Sequence, residues 1–309
     1  MTWLIILAIL IAGVAIAGVV YEATSAARDR ATYKKQTPPG QLIDVGGHKL
    51  HAVITGERTD NEPAVILEST VGANALDWQK VQPLLTENNL VVSYDRAGYG
   101  FSEAGPEPRT PEHLAQELHT LLKNADIAPP YILAGHRYGG LFVRKFAELY
   151  PDDVAGVLLV DSSHPQAVNE LNDPSEIRRL ENNVRIFQPL GLVRFVTRRN
   201  YRAQFLMEDE RAEYVAFMMF DNKAMIPEVR PIFEDGIHLS DKLDKPLVVL
   251  SREEDDILAR EREWAEKQRD LLTLSDNAEH LHAESSNSWM VFAEPEAIAK
   301  GVQQLKGML

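Results

Sequence analysis

Short apolar runs alternate with helical patterns along most of the chain. The apolar runs lie at Ala64–Leu67, Leu90–Tyr94, Tyr131–Ala134, Gly156–Val160, Pro246–Leu250 and His280–Ala283. The helical patterns lie near 74–86, 110–124, 139–150, 260–273 and 294–306. Buried parallel strands are typically near-continuous apolar runs, and the helices between them cover both faces of the sheet. The alternation therefore predicts an α/β domain with a mostly parallel sheet and helices on both faces.

Two segments depart from this alternation. Near the start, Gln41–Val45 and Lys49–Ile54 flank Gly46-Gly47, which predicts a β-hairpin. From about 166 to 243 the strand signal stops and the pattern becomes helical. We therefore divide the globular part into a core segment 41–165, a helical insertion 166–243 and a second core segment 244–309.

The N-terminal segment is an uncharged apolar run from Trp3 to Val20, close to the length needed to cross a bilayer. A cleaved signal peptide is the alternative, but no Lys or Arg precedes the run and no small-residue cleavage site follows it. We predict an uncleaved, single-pass transmembrane anchor over 1–21 and a juxtamembrane linker over 22–40. The basic residues near the run all follow it: Arg28, Arg30, Lys34 and Lys35. The positive-inside rule then places the globular domain on the cytoplasmic side.

Composition narrows the classes of function. The net charge of −14 argues against a nucleic-acid partner, because a phosphate backbone would be repelled. The chain has no Cys, which excludes disulfides, a thiol nucleophile and a Cys-ligated metal. No G-x-G-x-x-G or phosphate-loop motif is present, so no nucleotide cofactor is implied. We predict neither a cofactor nor a metal site.

The segment Gly135-His136-Arg137-Tyr138-Gly139-Gly140 joins a predicted strand to a predicted helix. A strand, a sharp turn flanked by glycines and a helix form the setting in which G-x-S-x-G presents a serine nucleophile. The central residue here is Arg137, and a guanidinium cannot be the nucleophile in acyl transfer. The alternative is that the turn is misplaced and Arg137 is an ordinary surface residue. Ser162 and Ser163 end another predicted strand, but without such a turn.

Three further segments resemble the α/β-hydrolase family in its membrane-anchored bacterial form. They are Pro39–His48, Tyr94–Ser102 and Val160–Pro165, which resemble the family's opening hairpin, the loop after its fourth strand and the exit from its sixth strand. The resemblance covers 36–165 and 245–309, and the insertion 166–243 stands where the family carries its cap domain. It implies an α/β-hydrolase fold and descent from a serine hydrolase that acts on esters or similar acyl compounds.

In this family the catalytic His follows the last strand, about seven residues before a Pro-Glu pair. Aligning Pro295-Glu296 puts Ser288 at the histidine position, and serine has no useful basicity near neutral pH. His280 and His282 are alternative bases. They fall two residues apart on one face of a predicted strand, where packing against a helix is the simpler role. As an H-x-H metal pair they lack an evident third ligand.

The family's catalytic acid follows the strand that contains Leu247–Leu250. Asp255 is the candidate there, and Asp161, after the sixth strand, is the alternative. The stretch 253–256 is equally consistent with a solvated acidic loop.

The resemblance also places an oxyanion hole, built from the backbone amide of Tyr138 and one from the loop that contains Thr70 and Val71. Thr70 stands where the family usually has Gly, and its Cβ restricts the loop and narrows the hole. Further candidates for pocket residues are Ser69, His136 and His164, with packing as the alternative role for His136.

Two interpretations of Arg137 remain open. The guanidinium and two backbone amides bind a small anionic or acyl ligand, such as a carboxylate or phosphate, without cleaving it. Alternatively Arg137 closes the pocket through an internal ion pair, with Asp161, Asp255 or Glu68 as its partner. We predict a non-catalytic family member that keeps a ligand- or partner-binding pocket. The alternatives are an active hydrolase of carboxylic esters or similar acyl compounds and a structural membrane interaction protein.

Overall fold

The computed structural model describes residues 2–35, 39–59, 62–170, 173–198, 224–253, 259–285 and 287–309. The strands are β1 Gln41–Asp44, β2 Lys49–Thr55, β3 Ala64–Glu68, β4 Val91–Tyr94, β5 Tyr131–His136, β6 Val154–Val160, β7 Leu247–Ser251 and β8 Ala278–His282. The helices of the core are α2 Gln82–Thr86, α3 Pro111–Asn124, α4 Tyr138–Leu149, α9 Ala259–Leu271, α10 Met290–Ala293 and α11 Pro295–Gly307. Short 3₁₀ turns are formed by Ala75–Trp78, Pro151–Asp153 and Leu272–Leu274.

The eight strands form one sheet in the order β1-β2-β4-β3-β5-β6-β7-β8. Strand β2 pairs antiparallel with β1 and β4, and every pairing from β4 to β8 is parallel. The predicted fold class, a mostly parallel sheet with an opening hairpin, is confirmed. Parallel strands all end at the same edge, so the carboxyl ends of β5, β6 and β7 bring the residues after His136, Val160 and Ser251 together.

Helices cover both faces of the sheet, as the alternating pattern predicts. One buried cluster joins α3 and α4 to β3–β7 through Leu118, Val143, Leu159 and Val249. The cluster on the opposite face joins α10 and α11 to the same strands through Leu158, Leu250, Met290 and Val302. Burial of these apolar side chains holds the carboxyl edge of the strands rigid.

Several element boundaries differ from the sequence-based prediction by one or two residues, and one predicted helix is divided. The helical pattern near 74–86 is two pieces, the 3₁₀ turn Ala75–Trp78 and helix α2. Pro83 lies in the first turn of α2, and because proline lacks an N–H it starts a helix more easily than it continues one. The last strand begins two residues earlier and ends one residue earlier than predicted, and it covers Ala278–His282.

The predicted insertion contains helices α5 Pro165–Glu170, α6 Pro174–Phe187 and α7 Leu192–Arg198, and helix α8, described over 224–235. The structure describes no strand between 166 and 243. We call the described helices α5–α8 the cap. Glu228 of α8 reaches Arg96 in the loop after β4, which fixes this part of the cap against the core.

The N-terminal helix α1 runs without a break from Thr2 to Lys35. Its stretch Thr2–Arg28 is long and apolar enough to cross a membrane, with a mean hydropathy of 2.9 and no buried residue in the most apolar window. No change of secondary structure marks the predicted boundary between an anchor 1–21 and a linker 22–40, because the helix passes straight through it. The apolar part of α1 is therefore a candidate membrane span, and its continuation is helical.

Candidate functional site

The turn between β5 and α4 has the backbone geometry of a nucleophile elbow. Arg137 has φ 52° and ψ −115°, a conformation that non-glycine residues rarely adopt and that marks functional sites. Its N–H donates to the carbonyl of Val160 (3.0 Å), and its carbonyl accepts from the amide of Ser163 (3.1 Å). These bonds to the end of β6 hold the turn in place, and the structure thus puts Arg137 at the position expected from the sequence.

The glycines around Arg137 are a steric requirement. A Cβ on Gly139 would lie 2.4 Å from the carbonyl oxygen of Glu68, and a Cβ on Gly135 would lie 2.6 Å from the carbonyl oxygen of Gly139. Such contacts are far inside the van der Waals limit, so only glycine lets α4 approach β3 this closely. The sharp turn and its glycines are thus present around Arg137.

The side chain of Arg137 lies between two indole rings. Its guanidinium carbon is 5.6 Å from the ring centres of both Trp264 and Trp289. The side chain is 27% exposed, and Nη1 is 3.8 Å from Oδ2 of Asp161. A cation on aromatic faces stays charged while its planar fork is held in one orientation. The centre of the turn thus holds a partly exposed positive charge beside two aromatic rings.

Asp161 is the buried acidic partner of this cluster, although Arg137 is not its nearest cation. The carboxylate of Asp161 is fully buried and accepts hydrogen bonds from Nη1 of Arg252 (2.7 Å) and from Nε1 of Trp264 (2.8 Å). Arg252 also donates to Glu261 (2.6 Å). Burial raises the pKa of Asp161, and the charges of Arg252 and Arg137 oppose that increase. Most of the compensation for the buried carboxylate therefore comes from Arg252.

Of the other acids proposed for this site, Glu68 has a different partner. Its carboxylate accepts from Nη1 of Arg96 (2.5 Å) and from the hydroxyl of Tyr94. Arg96 also donates to Glu228 of the cap, at 2.9 Å and 3.0 Å. The interpretation of Glu68 as a partner of Arg137 is therefore wrong. Asp255 falls outside the described residues.

Ser288, at the histidine position, lies just before α10 and is half-buried. Its carbonyl oxygen is 3.1 Å from Nε2 of His136. The ring of His136 is 1% exposed and makes edge contacts with Trp78 and Trp289. His136 is thus packed in the interior and is not a pocket residue, because two indoles enclose it.

The remaining histidines considered as bases or pocket residues have other partners. In β8, Nε2 of His280 and Nδ1 of His282 lie 2.9 Å and 3.4 Å from the Ser251 hydroxyl. Nε2 of His164 is 2.9 Å from Asp270, and burial lowers the pKa of His164. His164 lines a separate groove of about 750 Å³ that also includes Arg144.

The predicted oxyanion hole is narrowed by a side chain. The amide nitrogen of Tyr138 lies 3.4 Å from Oγ1 of Thr70, which is 3% exposed. Ser69 is turned into the protein, where its hydroxyl donates to Asn74 (2.9 Å) and accepts from Trp78 (2.9 Å). Val71 packs against a small apolar cluster that includes Leu141 and Phe142 of α4. The amide that would stabilise an oxyanion is therefore directed at the Thr70 hydroxyl, and Ser69 does not face the pocket.

Three members of this site carry no motif that would have revealed them in the sequence. Trp264 lies on α9, Trp289 precedes α10, and Arg252 follows β7. They meet Arg137 and Asp161 only because the sheet brings the ends of β5, β6 and β7 together. Among the residues that the structure describes, no group of three His, Asp or Glu side chains is arranged to hold a metal ion.

Comparison with known proteins identifies the fold family. The chain is 23% identical to the uncharacterized protein YqjL of Bacillus subtilis over 235 residues, which is 76% of this chain and 79% of YqjL. It is 33% identical over 127 residues, or 40% of its length, to the probable transporter efuK of Hormonema carpetanum, and it spans only 18% of that protein.

A thermophilic esterase from Thermogutta terrifontis, solved with malate bound, superposes with a TM-score of 0.68 over 88% of this chain and 99% of the esterase. At 17% identity this likeness shows the fold alone. The sequence profile described as alpha/beta hydrolase fold matches residues 63–223 of the 309. The chain therefore belongs to the alpha/beta hydrolase fold family.

Proposed function

We propose that this chain is a non-catalytic member of the family that binds a small carboxylate ligand at Arg137. The observation that carries the proposal is the placement of a partly exposed guanidinium, held between Trp264 and Trp289, at the nucleophile elbow. A rigid cation at the point where an acyl group would be attacked favours binding of an anion and excludes the attack.

Three parts of the acyl-transfer machinery are changed together. Arg137 stands at the expected position of the nucleophile, Ser288 at that of the histidine, and the amide of Tyr138 faces the hydroxyl of Thr70. Acyl transfer needs a nucleophile, a base and donors aimed at the oxyanion. The scaffold that positioned them is retained, including the strained turn at Arg137. This combination is the reason for proposing retained binding without turnover.

Arg137 is the more distant of the two arginines at Asp161. A separation of 3.8 Å is longer than a hydrogen bond, whereas Arg252 reaches the same carboxylate at 2.7 Å. A ligand carboxylate on the exposed side of the guanidinium could accept two parallel N–H bonds, which is the geometry that Arg prefers. The malate in the related esterase belongs to that protein, and it makes a dicarboxylate a sensible first probe here.

The experiment is a titration of the full chain with malate, acetate, hexanoate and inorganic phosphate, followed by tryptophan fluorescence, because two of the four Trp residues contact Arg137. We expect a carboxylate to bind, and Arg137→Gln to weaken that binding by about 10- to 150-fold, the value of a charged hydrogen-bonded pair. Arg185→Gln is the matched control, since Arg185 is an exposed arginine of α6. Equal affinity in Arg137→Gln and the original chain would contradict the proposal, as would binding of none of the carboxylates.

We further infer that α1 anchors the protein in a lipid bilayer with the folded domain on the cytoplasmic side. The apolar stretch Thr2–Arg28 supports the anchor, and Arg28, with the other basic residues after the run, supports the orientation. Protease treatment of intact and of opened membrane vesicles tests the orientation. We expect the protease to digest the domain only from the cytoplasmic side. Digestion from the opposite side would show that the orientation is the reverse of the proposed one.

A further inference from the structure

The cap touches the N-terminal helix at the end of its apolar run. A Cβ on Gly18 of α1 would lie 2.4 Å from the carbonyl oxygen of Leu190, and a Cβ on Gly191 would lie 2.7 Å from the ring of Tyr21. The two backbones therefore approach closely, through glycine on both sides. The turn between α6 and α7 therefore packs directly against α1 at Gly18 and Gly191.

A buried ion pair continues this contact by one turn. Arg194 of α7 donates to Glu22 of α1 from Nε (2.8 Å) and from Nη2 (3.1 Å). Arg194 is 2% exposed and Ser25 of α1 is 4% exposed, so the contact excludes water. A bidentate arginine–carboxylate pair fixes orientation as well as distance. The cap is thus held against α1 in a defined position.

Four large apolar side chains are exposed beside this contact. They are Ile186 (57% exposed), Phe187 (41%), Leu192 (46%) and Phe195 (50%), and we call them the cap patch. Phe195 follows Arg194 by one residue and lies about 100° around α7 from it, and Phe187 precedes Leu190 by three residues. The cap patch is therefore close along the chain to the residues that contact α1.

The position of the contact along α1 indicates which part of the bilayer lies beside the cap patch. Gly18 belongs to the apolar run that ends at Val20, so it lies about 3 Å inside the end of that run. Tyr21 follows directly, and tyrosine is enriched at the boundary between hydrocarbon and headgroups. Side chains at this height on a neighbouring helix reach the same boundary. Large apolar groups there are removed from water by the lipid, as in interfacial helices.

We propose that the cap patch inserts into the headgroup–acyl boundary of the same bilayer that α1 spans. The insertion places α6 and α7 of the cap on the membrane surface, with Arg185 beside the lipid headgroups. The folded domain then has one fixed orientation on the membrane. This proposal rests on α1 as an anchor and is independent of ligand binding at Arg137.

The chain has no Cys, so single cysteines can be introduced for nitroxide labels in the full protein. We choose Phe187→Cys and Phe195→Cys in the cap patch, and Leu84→Cys and Leu149→Cys as exposed leucines of the core. A label at Ile11→Cys in α1 reports separately whether the anchor is in the membrane. Each protein is reconstituted in phosphatidylcholine vesicles, with and without phosphatidylglycerol, and spin relaxation by oxygen and by a water-soluble nickel complex is compared.

In both lipids the labels at 187 and 195 are expected to be more accessible to oxygen and less accessible to nickel than the two control labels. Labels at 187 and 195 that behave like the controls would overturn the proposal. Shielding from both reagents would overturn it as well, because a protein surface would then cover the patch. If the label at 11 is accessible to nickel, α1 is not inside the membrane and the anchor is rejected.

The ion pair supplies a second test. Glu22→Arg or Arg194→Glu alone places two like charges together, and we expect either to increase the nickel accessibility of the label at 195. Combining the two substitutions restores opposite charges and should restore the shielding. If the single substitutions leave the label unchanged, the pair does not position the cap on the membrane.

Discussion

Arg252 donates a 2.7 Å hydrogen bond from Nη1 to the buried carboxylate of Asp161. Asp161 follows β6 and Arg252 follows β7, so the pair joins the carboxyl ends of two neighbouring strands. Arg252 and Trp264 both donate hydrogen bonds to this carboxylate. Nη1 of Arg137 lies 3.8 Å from Oδ2 of Asp161, and part of the Arg137 side chain is exposed. Arg252 is thus the cation that is hydrogen-bonded to the buried carboxylate, and Arg137 is a more distant and partly exposed one.

The two arginines are therefore expected to differ in their effect on stability. Arg252→Gln leaves Asp161 buried without its hydrogen-bonded cation and should lower the free energy of unfolding by about 3–5 kcal/mol. Arg137→Gln removes a longer, partly exposed pair and two ring contacts, and should cost no more than about 2 kcal/mol. Urea unfolding of the full chain measures both. A larger loss for Arg137→Gln than for Arg252→Gln would contradict the assignment.

The buried pair of His51 and Asp95 predicts a dependence of stability on pH. Nδ1 of His51 lies 2.8 Å from Oδ2 of Asp95. Burial by itself lowers the pKa of His51, but the hydrogen bond and charge of Asp95 outweigh it, so the pKa lies above the ordinary value of 6.5. The stability that this histidine contributes is complete below pH 6.5 and is lost as the pH rises through the raised pKa. His51→Gln should abolish that loss.

His164 predicts a pH dependence of stability opposite to that of His51 and serves as a control. Burial lowers its pKa below 6.5, so its contribution is complete above that pH and is lost as the pH falls. The free energy of urea unfolding, measured between about pH 5.5 and 8.5, distinguishes the two pH dependences. The same slope for His51→Gln and the original chain would show that the His51–Asp95 pair does not act in this way.

Replacing a glycine tests the close approach of α4 to β3. Gly139→Ala would put a Cβ 2.4 Å from the carbonyl oxygen of Glu68, and we expect a loss of at least about 1–3 kcal/mol in unfolding free energy. Gly307→Ala is the matched control, because no atom lies within 4 Å of its added Cβ. Alanine should be neutral or stabilising by about 0.5–1 kcal/mol there, as expected for a residue in a helix. Equal effects at the two positions would contradict the elbow packing.

The order of strands and helices was predictable from the sequence because buried parallel strands are continuous apolar runs with helices between them. The elbow was predictable because Gly135 and Gly139 are required by close backbone contacts. The surroundings of Arg137 were not, since Trp264 and Trp289 lie far along the chain and follow no local pattern. The partner of Glu68 was missed for the same reason, because Glu228 of the cap helps to hold Arg96 in place.

Restoring the lost groups should restore acyl transfer in steps. Arg137→Ser with Ser288→His returns a nucleophile and a base to a turn that already has the required geometry. Adding Thr70→Gly removes the hydroxyl that faces the amide of Tyr138, and we expect p-nitrophenyl acetate hydrolysis to rise by a further factor of about 10²–10³. Thr70→Ser in the same background keeps a hydroxyl and serves as the control. Equal rates with Gly and Ser would show that Thr70 does not restrict the oxyanion site.

Loss of catalysis is the central claim, and labelling of the unaltered full-length chain by a fluorophosphonate tests it most directly. This reagent reacts covalently with serines that a base activates, and intact-protein mass measurement detects the adduct. The account predicts no adduct on the chain as it stands and an adduct on Ser at position 137 in the Arg137→Ser, Ser288→His protein. An adduct on any serine of the unaltered chain, Ser162, Ser163 and Ser251 included, would contradict it.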